Sequence, residues 1–518
     1  MNFLRKLNIG HKLFCCLLLW SQSSFGQHKA EMRGVWMTTL LNIDWPSSSE
    51  LVTSEQKQEI ISILDHHQSM GINVVFLQVR PAAETFYRSS FEPWSRWLTG
   101  IQGKEPRPYY DPLEFWVEQC HQRGMELHAW FNPFRAALSE DVTLLHPDHI
   151  VYRHPEWFVA YNGRVYFDPG IPEVRQYVRD VILEVVNRYQ IDGIHFDDYF
   201  YPYRVDGQQF SDQHTFEQYG RGFVDTGEWR RDNISRFVKI VSDSIQSTKP
   251  WVRFGISPFG VWRNQMNDDS GSATRAGHTS YDDLYADVLL WMRNGWIDYL
   301  APQVYWHIGF DLADYQVLVD WWSKHSYGRH IYIGQSAYKV RGDADLSAWQ
   351  DPGEMPRHIR LNHQHPEIKG NIYFSSSSLR SNQLGLVDSL RSTYYKYPAM
   401  VPSMSYKPVA MLSAPQLYRI SHGQKKLTLY WSGSDMQNVE RYQILYRYPG
   451  VRAGQGDPQN ILALLPPGTT TFEDTPPKKG HYTYLISTVS KTNHESPLSH
   501  PITIDYRKRK PRKKKVRI

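Results

Sequence analysis

Cysteine is nearly absent from this chain. Three occur in 518 residues, and since Cys15 and Cys16 fall inside an N-terminal apolar run, only Cys120 belongs to the body of the protein. A lone cysteine excludes an internal disulfide framework and a cysteine-rich zinc site. The 22 histidines include no H-E-x-x-H pattern, and no glycine-rich phosphate or dinucleotide loop follows any expected strand. No metal and no cofactor are therefore expected. Long apolar runs are scarce too: the longest, residues 13–20, is too short to span a bilayer. It follows Arg5, Lys6 and Lys12 and precedes Ser24-Phe25-Gly26, so residues 1–26 read as an export signal cleaved before Gln27, which places the protein in the periplasm or at the cell surface. Leu13-Phe14 before Cys15 lacks the small residues of a lipoprotein signal, which argues against a lipid anchor.

Positive charge is also scarcer than the net +5 suggests. Residues 507–518 carry nine Lys/Arg and no acid; without them 49 basic residues face 53 acidic ones, a balance of −4. The tail is a detachable basic arm. Behind an export signal it suits an anionic envelope polymer or a membrane surface rather than nucleic acid, the other reading being a solvated end with no partner. What the chain has in excess is aromatic side chains, 14% of residues with 18 Trp and 33 Tyr, the residues that stack on sugar rings.

Helix, short turn, strand and long loop recur along residues 30–400. Thr53 with Gln56 reads as a capping box opening a helix that ends at Gly71, before the strand "NVVFLQVR". Asp111-Pro112 with Glu114 caps a second, bearing Leu113, Trp116, Val117 and Cys120 and ending at Gly124 before "MELHAWFN". Pro172 begins a third, with Val174, Val178, Val181, Ile182 and Val185 at helical spacing, and a fourth spans 281–294. Eight strands are predicted, near 32–39, 73–80, 125–132, 192–198, 252–257, 298–305, 330–337 and 371–376, and they indicate an α/β fold, a (β/α)8 TIM barrel. Its long connections, 81–110, 133–170, 199–230 and 258–280, all follow strands, which puts the chemistry at the strands' C-terminal end. From 408 to 506 the pattern changes to short alternating strands, an all-β sandwich; "LYWSG" and "YTYLISTVS" make it similar to a fibronectin type III domain. A monomer is expected.

"DGIHFDDYFYP" at 192–202 holds two adjacent aspartates. Alternation turns Ile194 and Phe196 toward the helices and His195 and Asp197 into the barrel, with Asp198 at the rim, either a second catalytic carboxylate or a cap of the next turn. Two close carboxylates raise each other's pKa, which keeps an acid protonated near neutrality. The same alternation brings Gln78, Arg80, His128, Trp130, Asn132, Gln303, Tyr305 with the adjacent Trp306, and Ser336 toward the mouth, a polar convergence that packing does not require. A glycoside hydrolase needs a second carboxyl group. Glu84 is the nearest loop candidate, ahead of Asp168 and Glu92, the bland reading for each being a loop salt bridge or cap.

The stretches "EMRGVWMTT", "LQVRPAAETFYRSSFEPWSRWLTG", "YDPLEFWVEQCHQRGMELHAWFNPFR", "FDPGIPEVRQYVRDVILEVV", "DGIHFDDYFYP" and "ISPFGVW" together resemble the family-10-like glycosyl hydrolases of bacterial envelopes, the DigH type. The resemblance implies a barrel enzyme cleaving peptidoglycan glycan strands, in particular peptide-free strands. "DGIHFD" is also similar to the amylase-type strand "DGFRxD", whose last aspartate is a nucleophile; that position is Asp197 here, with His195 replacing the arginine. The fifth strand supplies the acid in that group, yet "VRFGISPFG" has none, which leaves Asp198 or Glu84 as proton donor. Arg80, His128, Trp130, Asn132, Gln303, Tyr305 and Trp306 are then expected to hold the sugar. The rival readings are a hydrolase of another exported or dietary polysaccharide and a non-catalytic glycan-binding protein.

Overall fold

Helices form in this chain where a cap meets an apolar stripe. The computed structural model describes residues 27–408, 412–423, 425–433 and 439–507; residues 1–26, expected to be an export signal, and the tail beyond Arg507 lie outside them. Asp111 accepts hydrogen bonds from the amides of Leu113 (3.0 Å) and Glu114 (3.3 Å), opening the helix Pro112–Gln122. Helix Pro172–Arg188 buries Val174, Val178, Val181, Ile182 and Val185 completely, each contributing about 1.5–3 kcal/mol over the exposed state. The first expected cap is one residue off. Val52 caps helix Thr53–Ser69, its amide donating to Glu55 Oε2 at 3.0 Å, while the Thr53 hydroxyl donates to the Pro108 carbonyl and Gln56 is buried as a tie to Leu51 and Leu98. The expected helix at 281–294 shrinks to Val288–Arg293, because Tyr285 takes a left-handed φ of 54° and Asp287 caps the Leu290 amide. Gly71 (φ 83°) and Gly124 (φ 68°) supply the left-handed turns that end two helices.

Eight parallel strands close into a barrel: β1 (Met32–Met37), β2 (Val74–Arg80), β3 (Glu126–Phe131), β4 (Gly193–Phe196), β5 (Arg253–Ile256), β6 (Tyr299–Leu300), β7 (His330–Gln335) and β8 (Ile368–Tyr373). Their order around the barrel is β1-β8-β7-β6-β5-β4-β3-β2. β6 is far shorter than expected, since Pro302 has no N–H to continue its ladder. β8 begins three residues early and stops before Ser376 opens a short helix. Among the described residues no helix is long and apolar enough to cross a membrane.

The lumen holds rings rather than branched aliphatics. Trp36, Phe76, Trp130, Tyr299 and Tyr332 pack there with Met32, Val74 and Ile372. Glycines on the neighbouring strands make the space. A Cβ on Gly255 would stand 2.0 Å from the Tyr299 ring, and one on Gly193 would stand 2.6 Å from His128 Nδ1, so neither position admits a side chain.

The C-terminal region is an antiparallel sandwich. One sheet orders Leu417–His422, Leu427–Trp431, Thr471–Asp474; the other orders Ile461–Leu465, Glu440–Pro449, Gly480–Ser490, Ile502–Tyr506. It docks under the barrel floor. Arg441 pairs with Asp192 and lies 3.5 Å from Glu126; Asn493 Nδ2 donates to Glu126 Oε1 at 2.7 Å; and Arg253 of β5 pairs with the same glutamate. Burial opposes these charges, but Arg253 and Arg441 hold Glu126 well below the usual carboxylate range. Arg441 and His121, likewise against burial, bring Asp192 from 3.8 to about 2.

Removing one partner of such a network leaves a buried charge uncompensated. Arg441→Met is expected to cost about 3–5 kcal/mol, read as a lower urea midpoint; an unchanged midpoint would mean that the domains dock without the pair. Because the Asp192 pKa is depressed on folding, its contribution is fully present above about pH 4 and is lost as pH falls toward 2. Wild-type midpoints measured from pH 5 to pH 2 should fall across that window, and less steeply in Asp192→Asn.

Candidate active site

The C-terminal ends of the strands surround a cleft of about 520 Å³. Trp36 and Thr38 line it from β1 and its exit, Gln78 from β2, Trp130 and Asn132 from β3, Asp197, Asp198 and Tyr199 from β4, Ser257 from β5, and Gln303 and Tyr305 from the segment after β6. Leu40, Leu41, Ile43, Leu138 and Phe374 add apolar wall. Asp197 and Asp198 are the only carboxylates lining this cleft among the described residues.

Both aspartates are buried. Asp197 Oδ2 accepts from Asn132 Nδ2 at 2.5 Å and Trp130 Nε1 at 3.3 Å, and Oδ1 accepts from the Tyr199 amide at 3.4 Å. Gln78 Nε2 donates to Asn132 Oδ1 at 2.9 Å, which points the Asn132 amide nitrogen at the carboxylate. Asp198 accepts from the Tyr203 hydroxyl. Burial, and next the Asp198 carboxyl, push Asp197 up to about 7, and burial raises Asp198 as well. The two titrate as a unit that holds one proton near neutrality. Since Oδ2 of Asp197 already accepts two N–H groups, that proton belongs on Asp197 Oδ1 or on Asp198.

A directed column of hydrogen bonds lies beneath the pair. Trp36 Nε1 has only a proton to give, so His195 Nε2 accepts it at 3.2 Å, and neutral His195 carries its own proton on Nδ1. That proton goes to the Tyr299 oxygen (3.0 Å); Tyr299 donates to His128 Nδ1 (2.8 Å), and His128 Nε2 donates to Glu126 (3.2 Å). Burial lowers both histidine pKa values, so the column stays uncharged down to its floor. It fixes the pitch of β4, and with it the site from which Asp197 projects.

Of the expected site residues, Asp197, Asp198, Trp130, Asn132, Gln303 and Tyr305 meet in the cleft. Four do not. Arg80 is fully buried in a bidentate pair with Glu92 (2.6 and 2.7 Å) and bonds the Asn132 carbonyl, so it braces the loop and has no group free for sugar. His128 sits one layer too deep, within the column. Glu84 is held by Ser95 (2.8 Å) and Gln102 (2.7 Å) in a separate apolar recess of about 230 Å³, and burial raises its pKa there. Trp306 packs its edge against Phe259 rather than facing the cleft. Asp168 is buried against Thr215, its pKa raised by burial to about 6, away from the pair. Among the described residues no cluster of His, Cys, Asp and Glu is arranged to hold a metal ion.

Sequence reasoning passed over Arg135, Arg164 and Ser257 as lining residues. Two of them sit on an unforeseen three-stranded sheet, Arg135–Ala137, Phe158–Tyr161 and Arg164–Phe167, inside the long 133–170 connection. The alternation in "FVAYNGRVYF" about Asn162-Gly163 was the available hairpin signal.

The shared proton predicts a bell-shaped pH dependence. kcat/KM on a soluble oligosaccharide should fall above about pH 7 as the pair loses its proton, and fall in acid as it gains a second. Asn132→Leu removes a donor that favours ionised Asp197, so the alkaline limb should move up; a limb that stays in place would detach it from Asp197.

The glycosyl hydrolase-like 10 family model matches residues 31–351. Glycosyl hydrolase YngK of Bacillus subtilis is 44% identical over 484 residues, covering 91% of this chain and 93% of YngK. Glycosyl hydrolase DigH of Escherichia coli K12 is 39% identical over 380 residues, covering 69% of this chain and 85% of DigH. The family model spans β1 to β7 and every residue that lines the cleft except Phe374. On this evidence the chain belongs to the glycosyl hydrolase-like 10 family and is a glycoside hydrolase.

Proposed function

We propose that this enzyme works outside the cytoplasm and hydrolyses the glycan strands of peptidoglycan, specifically strands freed of their stem peptides. The observation that carries this reading is the pair of adjacent, proton-sharing aspartates at the floor of an open cleft walled by Trp130, Tyr199, Tyr305 and Tyr338. Aromatic faces on an open groove suit stacked sugar rings of a polymer. Three N–H donors converge on Asp197 and favour its ionised form, which suits the base or nucleophile. Asp198, raised by burial against the donors Tyr203 and Gln303, is assigned as the proton donor to the leaving oxygen. Gln303, Tyr305 and Trp130 line the same cleft and would orient the ring. In this reading the first 26 residues direct export, and the basic tail meets an anionic envelope polymer or membrane surface.

Purified protein incubated with peptide-free strands should release new reducing ends, and Asp197→Asn should lower the rate about 10³-fold with an unchanged circular dichroism spectrum. Absence of reducing ends from these strands, or full activity in Asp197→Asn, would overturn the assignment. Protein recovered from the envelope should begin at Gln27.

A further inference from the structure

Most arginines buried in this protein have carboxylate partners. Arg33 holds Glu31 at 2.9 Å, Arg80 holds Glu92 at 2.6 Å, and Arg253 holds Glu126. Arg175 donates instead to the Pro169 carbonyl and to Asn233 Oδ1 (3.4 Å), and Arg135 departs further. It is 4% exposed, its best protein acceptor is the Pro81 carbonyl at 3.5 Å, its Nε is buried with no partner, and it makes no ion pair among the described residues. Its guanidinium lies 4.4 Å from the centre of the Tyr199 ring, on the cleft wall. Arg164, exposed and also without an ion pair among the described residues, lines the same cleft. The sheet explains why they converge. Arg135 is opposite Tyr166 in register, and Arg164 is two residues from Tyr166, so all three side chains leave one face.

The charge of Arg135 acts to lower the pKa of Asp197 and Asp198, but it forms an ion pair with neither; a desolvated planar guanidinium whose donors are unfilled is costly unless a ligand fills them, and its fork matches a carboxylate. We propose that Arg135 and Arg164 form a subsite for a free carboxylate on a sugar ring next to the bond being cleaved. This rests on the cleft being the glycan site argued above. On a peptidoglycan strand that group is the ether-linked acid of the muramyl ring, ionised only once the stem peptide is gone; in a uronate polymer it would be the ring carboxylate. The selection for peptide-free strands then follows from charge: an amide-linked stem presents no anion to Arg135 and adds bulk at the wall.

The test uses peptide-free glycan fragments and the same fragments with their carboxyls converted to methylamides. Turnover is read with the wild type, and binding is read separately with the full-length Asp197→Asn protein. Free-acid fragments should bind and react about 10- to 100-fold better than amidated ones, the range of one or two charge-assisted hydrogen bonds. In Arg164→Gln, at an exposed position, that ratio should fall several-fold, and in Arg135→Gln toward one. Equal binding of the two fragments, or an unchanged ratio in both variants, overturns the subsite even if strands are cleaved. Carboxylate-dependent binding without cleavage instead supports the subsite while overturning the proposed activity. A β-linked uronate oligosaccharide binding more tightly than the amino-sugar fragment keeps the subsite and assigns its anion to the uronate.

Discussion

Everything at the cleft rests on filling a barrel lumen with polar rings and leaving none of them unpaired. His195 cannot be solvated where it lies, and a buried imidazole without partners is costly. The structure satisfies it from both ends, through Trp36 above and Tyr299 below, and passes the obligation down through His128 to Glu126. Glu126 is a buried anion, and its compensation is Arg253 together with Arg441 from the other domain. The sandwich is thus part of the barrel's electrostatic floor as well as a neighbour packed beneath it.

This arrangement separates two kinds of carboxylate by environment. Glu126 and Asp192, surrounded by arginines, stay ionised far into acid, which suits structural anions. Asp197 and Asp198 are similarly buried, yet among the described residues no arginine forms an ion pair with them; burial raises both, and the Asp198 carboxyl raises Asp197 further, against the opposing charge of Arg135. Chemistry at neutral pH needs the second environment. The contrast also explains why the pair stands above the column: neutral histidines beneath it add no charge that would pull the proton away.

Part of the site was legible. Period-two alternation puts His195 and Asp197 inside and Ile194 and Phe196 outside, and the structure agrees, with Phe196 packed on Phe237 and Phe254 and His195 in the lumen. It also brings Trp130, Asn132, Gln303 and Tyr305 to the right end. Alternation gives a face but no depth, which is why His128, on the same face as Trp130, was read as a cleft residue. Nor does it reveal a competing partner: Arg80 points as expected, but Glu92, from the loop that follows, claims its guanidinium.

The sequence by itself determined the (β/α)8 barrel, the strand that delivers the two aspartates, the end that carries the cleft, and the sandwich that follows, because these depend on local periodicity, caps and loop lengths. Only the tertiary structure decided which charged groups remain free. Pairing between residues as distant as Glu126 and Arg441 depends on how strands and domains meet, and that removed Arg80 and Glu84 from the site and left Arg135 in it with no ion-pair partner among the described residues.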